Sequence, residues 1–173
     1  LAIKQLKGDK NMGITNYSTS FTPGLAGGLA TGSPRAVRGR FNADTAVIAY
    51  GRAVVQGTTS DAIILPTTTA KDFIGVSYRC YAYENAETPQ GDFGYAPGLE
   101  IDILTQGDIW VEVEEAVAPG DPVFFRHQAS GANTIVGKFR KSADTATATQ
   151  VNAARWVSST PGAGLAVLTI NLP

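Results

Sequence analysis

Three carboxylates stand close together at Glu112, Glu114 and Glu115, the kind of grouping from which a glycoside hydrolase draws its acid and its base. That chemistry needs two carboxyls facing one cleft, about 5–10 Å apart. Here Ile109, Val111 and Val113 alternate with Trp110, Glu112 and Glu114, so the spacing predicts a strand with its apolar face inward. Glu112 and Glu114 are then expected on a solvated face, with Glu115 near its end. The single His127 has no Gly-X-Ser-X-Gly pentapeptide to serve, and it reads as a turn or interface histidine. Cys80, the one cysteine, has no partner for an internal disulfide and no motif supplying an activating base, so it reads as a small buried hydrophobe. One His and one Cys give no metal-ligand spacing, and the expectation is no metal, no cofactor and no catalytic residue.

Gly24-Leu25-Ala26-Gly27-Gly28 is glycine-rich, but it lacks the Lys-Ser/Thr ending and the preceding buried strand of a phosphate loop. Arg35, Arg38 and Arg40 form a small basic cluster whose guanidinium forks suit carboxylates on a partner protein as well as phosphate. No aromatic residues are interleaved to stack on bases. The whole chain has 14 basic and 15 acidic residues, a formal net charge of -1, and no excess positive field for duplex nucleic acid. Nucleic acid is therefore not an expected partner.

The elements that would position these residues are short. After Pro34, apolar runs rich in Val, Ile, Thr and aromatics alternate with Gly, Pro and Asp: Thr45–Val55, Ala62–Leu65, Phe73–Ala82, Leu99–Thr105, Ile109–Val117, Pro122–Arg126, Thr134–Arg140, Val151–Val157 and Gly164–Leu172. This pattern predicts strands in a compact all-β domain, a single β-barrel or sandwich-like unit. Thr105-Gln106-Gly107-Asp108 predicts a hairpin between the fourth and fifth runs, and Asp144–Ala154 is the one helix candidate. The preceding segment, Asn11–Pro34, has no charged residue and few apolar ones. The expected division is an extended N-terminal arm over 1–34 and a β-rich domain over 35–173. Tyr17, Phe21, Leu25 and Leu29 are spaced too widely for a helix face and are candidate anchors on another surface, while a mobile terminus in the isolated chain is equally compatible.

The 173 residues fit one domain large enough to bury a core without staples. No stretch approaches the roughly twenty apolar residues of a membrane span, and the N-terminal segment lacks signal-peptide order. The expectation is a soluble chain made in the cytoplasm, with no membrane partner. Charge is segregated: residues 1–60 carry +5, residues 61–122 carry -10 and residues 123–173 carry +4. Internal pairing and complementary patches between subunits both fit that distribution.

Several blocks, in order, carry a family likeness. They are Gly51-Arg52-Ala53-Val54-Val55-Gln56-Gly57, Phe73-Ile74-Gly75-Val76, Gly107-Asp108-Ile109-Trp110-Val111 and Val113-Glu114-Glu115-Ala116-Val117. They continue with Gly120-Asp121-Pro122-Val123, Gly137-Lys138-Phe139-Arg140, Ala154-Arg155-Trp156 and the closing Gly164–Leu172. Over Arg35–Pro173 the chain resembles the structural cement, or head decoration, proteins of tailed bacteriophages. The resemblance implies a non-enzymatic β-rich protein on the outer face of the virion capsid. Its implied partners are the major capsid protein and further copies of itself, as dimer or trimer. The residues expected at such contacts are Tyr17, Phe21, Leu25, Leu29, Arg35, Arg38 and Arg40. A virion-surface module binding carbohydrate or a receptor is the other class, with Tyr78, Tyr81, Tyr83, Phe93 and Tyr95 as its expected exposed aromatics.

Overall fold

The computed structural model describes residues 24–30, 32–80 and 86–173. They form thirteen strands, with no helix among the described residues. Five strands close a small barrel: β1 (Ala36–Asn42), β4 (Ala62–Ile64), β3 (Ala53–Gln56), β5 (Phe73–Ser77) and β8 (Glu100–Val113), with β8 returning to β1. Closure leaves no free edge between those neighbours where they pair. Beside the barrel, β13 (Gly164–Asn171) runs antiparallel to the second half of β8, and β12 (Ala154–Trp156) flanks β13. β10 (Phe139–Arg140), β9 (Phe124–Arg126) and β11 (Ala148–Gln150) extend the same sheet. A separate sheet of β2 (Ile48–Ala49), β7 (Phe93–Tyr95) and β6 (Ala86–Glu87) completes the fold.

β8 organises the molecule. The sequence predicts a hairpin here; instead one fourteen-residue strand runs from Glu100 to Val113 without turning back. The register explains why. Ala36 lies opposite Gln106 while Val37 lies opposite Leu104, so Thr105 is an extra residue, a β-bulge. Its hydroxyl donates to Ala36 O at 3.3 Å, and its carbonyl accepts from Leu172 N–H at 3.0 Å. Gly107 follows at φ +125°, a conformation glycine adopts without the penalty of a side chain. The turn-like residues bend and rephase the strand rather than end it. Ile101 and Ile103 therefore face one core, whereas Leu104, five residues before Ile109, joins Ile109, Val111 and Val113 in the other.

The two cores divide accordingly. Val54, Ile63, Ile101 and Ile103 face inward from the barrel strands and pack with Ile48, Tyr50 and Tyr95. The larger core gathers Val55, Val76, Leu104 and the inward residues of β8 against Phe125, Phe139, Trp156, Leu168 and Ile170. Ile109, Val111 and Val113 point inward as the alternation predicts. Asp144–Ala154 is not helical. Asp144, Thr145 and Ala146 have φ of 45°, 54° and 66°, a left-handed turn that leads into β11.

Candidate functional site

The basic cluster begins where Pro34 ends its extended lead-in and β1 starts. In a strand, residues two apart share a face. Arg38 and Arg40 accordingly lie opposite Ile103 and Ile101 on one face, Arg38 exposed and Arg40 half-buried, while Val37 and Phe41 are exposed on the other. β1 pairs with β4 only at Phe41 and Asn42, so the barrel wall is splayed from Arg40 back to Ala36. A cavity of about 210 Å3 opens there, lined by Arg38, Arg40, Phe73, Ile74, Ile103 and the C-terminal Leu172 and Pro173, among others. Arg38 Nη2 donates to Pro173 O at 3.4 Å, and Arg40 Nη1 donates to Ser60 O at 2.6 Å. Arg35 is exposed just outside this face, beside Gly107.

The other contact candidates fall elsewhere. Tyr17 and Phe21 lie outside the described residues. Leu25 is 54% exposed and borders a groove of about 390 Å3 with Tyr50, Arg79, Phe93 and Leu165. Leu29 is half-buried, bridges to Ile109 and packs on the larger core. The stretch from Gly24 to Ala30 is docked on β8: Gly27 N–H donates to Trp110 O at 2.8 Å, and Trp110 N–H donates to Gly28 O at 2.9 Å. Gly24 lies so close to the indole that a Cβ there would come within 2.2 Å of it. The structure therefore unites Arg38 and Arg40 in one cavity, and leaves Leu25 and Leu29 on other faces.

The carboxylate trio is not on a solvated face. The Glu114 side chain is 3% exposed; Arg126, fully buried, donates to both its oxygens at 2.6 and 2.7 Å, and Arg140 donates to Oε2 at 3.0 Å. Asp144 joins both arginines, at 2.7 and 3.1 Å. Glu115 pairs with Arg140, while Glu112 lies 3.1 Å from Arg52 and 2.9 Å from Lys138. Burial alone pushes the Glu112 carboxyl up, but Arg52 and Lys138 together hold it below the usual range. Hydrogen bonding from Arg126 likewise holds Asp144 low, with Arg140 adding to it. These carboxylates are committed internally, so none of them is poised as an acid and a base across a cleft. Their partners come from distant strands, which local spacing does not show.

His127 is buried, with Nδ1 2.9 Å from Thr149 Oγ1, and burial first, then the charge of Lys71, pushes its pKa down. Cys80 packs at the margin of the barrel core. Of the aromatics expected at the surface, Tyr95 is instead fully buried and Tyr78 packs against the core. Only Phe93 is exposed, at 40%; Tyr81 and Tyr83 lie outside the described residues. Tyr95 fills the space between Tyr50 and the barrel, its hydroxyl donating to Tyr78 O at 2.6 Å.

Comparison with known proteins adds a family. A family model described as structural cement protein (E217 gp24/Pam3 gp6) matches residues 14–171. A chain of the solved structure described as the capsid of Myoviridae Phage XM1 superposes with a TM-score of 0.67 at 20% identity, covering 90% of this chain and 94% of that one. That likeness is one of fold. No curated protein matches the chain.

Proposed function

The chain belongs to the structural cement protein family, a capsid-associated structural protein of the phage virion, and from that premise we propose that it binds the outer face of the capsid and ties neighbouring major capsid subunits together. The family match over 14–171 carries the reading. A lattice under outward DNA pressure fails first where subunits separate, and a protein bound across that seam raises the free energy of separation without doing chemistry. Binding as a homo-oligomer, dimer or trimer, would multiply modest contacts through effective concentration. The contact groups in this proposal are the arm over 1–34, with Tyr17, Phe21 and Leu25, and the Arg35, Arg38 and Arg40 cluster. Asp92, Glu112, Glu114, Glu115 and Asp121 are not among these groups, because each is paired internally.

A catalytic role forms no part of the proposal, since the carboxylates that suggested one are neutralised by arginine and lysine. The test is to remove the protein from virions and heat them beside intact ones. Release of DNA at a lower temperature from the stripped particles is the expected result. Equal heat stability combined with lost adsorption to host cells would instead favour a receptor-binding module.

A further inference from the structure

Arg52, Arg126, Lys138, Arg140 and Lys141 each lie 3.8 Å or closer to a carboxylate of the chain. Arg38 and Arg40 make no ion pair with an Asp or Glu side chain among the described residues; they donate to the main-chain oxygens of Pro173 and Ser60. Asp61 and Glu100 share the adjacent groove with Arg40 without an ion pair to it, and the Asp61 carboxylate accepts from Thr59. Two guanidinium groups thus border one cavity whose other walls are apolar at Phe73, Ile74, Ile103 and Leu172, with Thr105 as the one further polar side chain. Resting on the capsid-binding reading above, we infer that this cavity seats an extended acidic segment of the major capsid protein. One apolar side chain fills it, and a flanking carboxylate is gripped by Arg38 and Arg40.

Size, charge and backbone all point to that occupant. At about 210 Å3 the cavity exceeds the roughly 150 Å3 that holds a benzene ring and falls short of the roughly 300 Å3 at which cofactor pockets begin. One leucine or aromatic side chain matches it. Planar guanidinium forks pair best with carboxylates, two parallel hydrogen bonds at a time. Among the described residues the backbone beside them is also unpaired. Phe41 N–H reaches Asp61 O across to β4, so strand alternation turns the Gly39 and Val37 amides to the same side, where β4 no longer runs. An extended segment can add along that edge.

Two measurements test this. The first titrates the full chain with a blocked peptide, Asp-Asp-Phe-Asp-Asp, and with its Asn-Asn-Phe-Asn-Asn counterpart, following the Ile74 and Ile103 methyl resonances. Saturable shifts with the acidic peptide only, lost in Arg38→Gln/Arg40→Gln, are expected; equal binding of both peptides, equal binding by the variant, or no saturation would overturn the inference. The second measures binding to stripped capsids. The double variant should bind about tenfold or more weakly, as loss of charge-assisted pairs dictates, with Arg155→Gln, an exposed arginine outside the contact groups, close to the unchanged protein. Equal capsid binding by the double variant would overturn the cavity assignment and leave the capsid reading standing. Failure of the unchanged protein to bind capsids would end that reading, and the peptide titration would then judge the cavity alone. Because Arg40 also braces Ser60, thermal midpoints accompany each variant. Arg38→Gln alone supplies the comparison if the double variant unfolds.

Discussion

Glu114 sits where the cost of losing it is greatest. Its partner Arg126 is fully buried and donates to both carboxylate oxygens, so Glu114→Ala leaves a buried cation with Asp144 as its remaining carboxylate partner among the described residues. A loss of about 3–5 kcal/mol is expected, read as a large drop in denaturant midpoint. His127 gives a milder, pH-dependent signature. Its pKa is lowered by burial and then by Lys71, so below about pH 6.5 the unfolded chain takes up a proton that the fold resists. Stability is full above that pH and declines as the pH falls towards the folded value. His127→Gln should flatten the thermal midpoint between pH 7 and 5. A second decline should follow lower down, because Glu112 and Asp144 have lowered pKa values. Their contribution is present above the ordinary carboxylate range, about 4, and is lost as pH falls through their lower folded values. The alternation around Val111 identifies two strand faces correctly. It cannot say that Arg52, Arg126, Lys138 and Arg140 cover the second one, since those partners are set by long-range pairing.

At the scale of elements, Val111 lies fully buried in the middle of the β8 and β13 pairing, opposite Ala166. Val111→Ala should cost about 1–3 kcal/mol, and an unchanged thermal midpoint would contradict the assignment of that face to the core. Gly75 is more demanding. A Cβ there would lie 2.3 Å from Ile103 Cγ2 and 2.6 Å from Leu104 O, at φ +149°, so Gly75→Ala should give little soluble protein while a surface change such as Gly162→Ala is tolerated. Most strand runs were legible from composition and alternation. The false hairpin has a physical cause, since Gln106-Gly107-Asp108 has turn chemistry that a bulge uses equally well. In β1 the sequence shows an arginine cluster and no apolar run to mark a strand. Its i, i+2 spacing nevertheless puts Arg38 and Arg40 on one face once the strand is recognised, whereas the apolar walls from β5 and the C-terminus come from elsewhere in the sequence.

Across the whole molecule, part of the segregated charge resolves into internal pairs. Asp92, Glu112, Glu114, Glu115 and Asp121 of the acidic middle third bind Arg52 of the first third and Arg126, Lys138, Arg140 and Lys141 of the last. Among the described residues both cores are built from positions after Ala30, apart from Leu29, which packs at the margin of one. Residues 11–23 carry no charge and few apolar side chains to anchor a core, so deleting residues 1–23 should leave the thermal midpoint of the free protein nearly unchanged while weakening attachment to capsids. Parallel melting and capsid co-sedimentation check both halves of that expectation. β8 adds a mechanical consequence. One covalent strand enters both cores, and eight consecutive residues of β13 lie alongside it, from Gly164 opposite Val113 to Asn171 opposite Gln106. Tension applied along β8 loads that ladder lengthwise, so its hydrogen bonds share the force and must slide together instead of peeling one by one. A stretching capsid surface would meet such a subunit as a stiff rod rather than as two beads on a hinge.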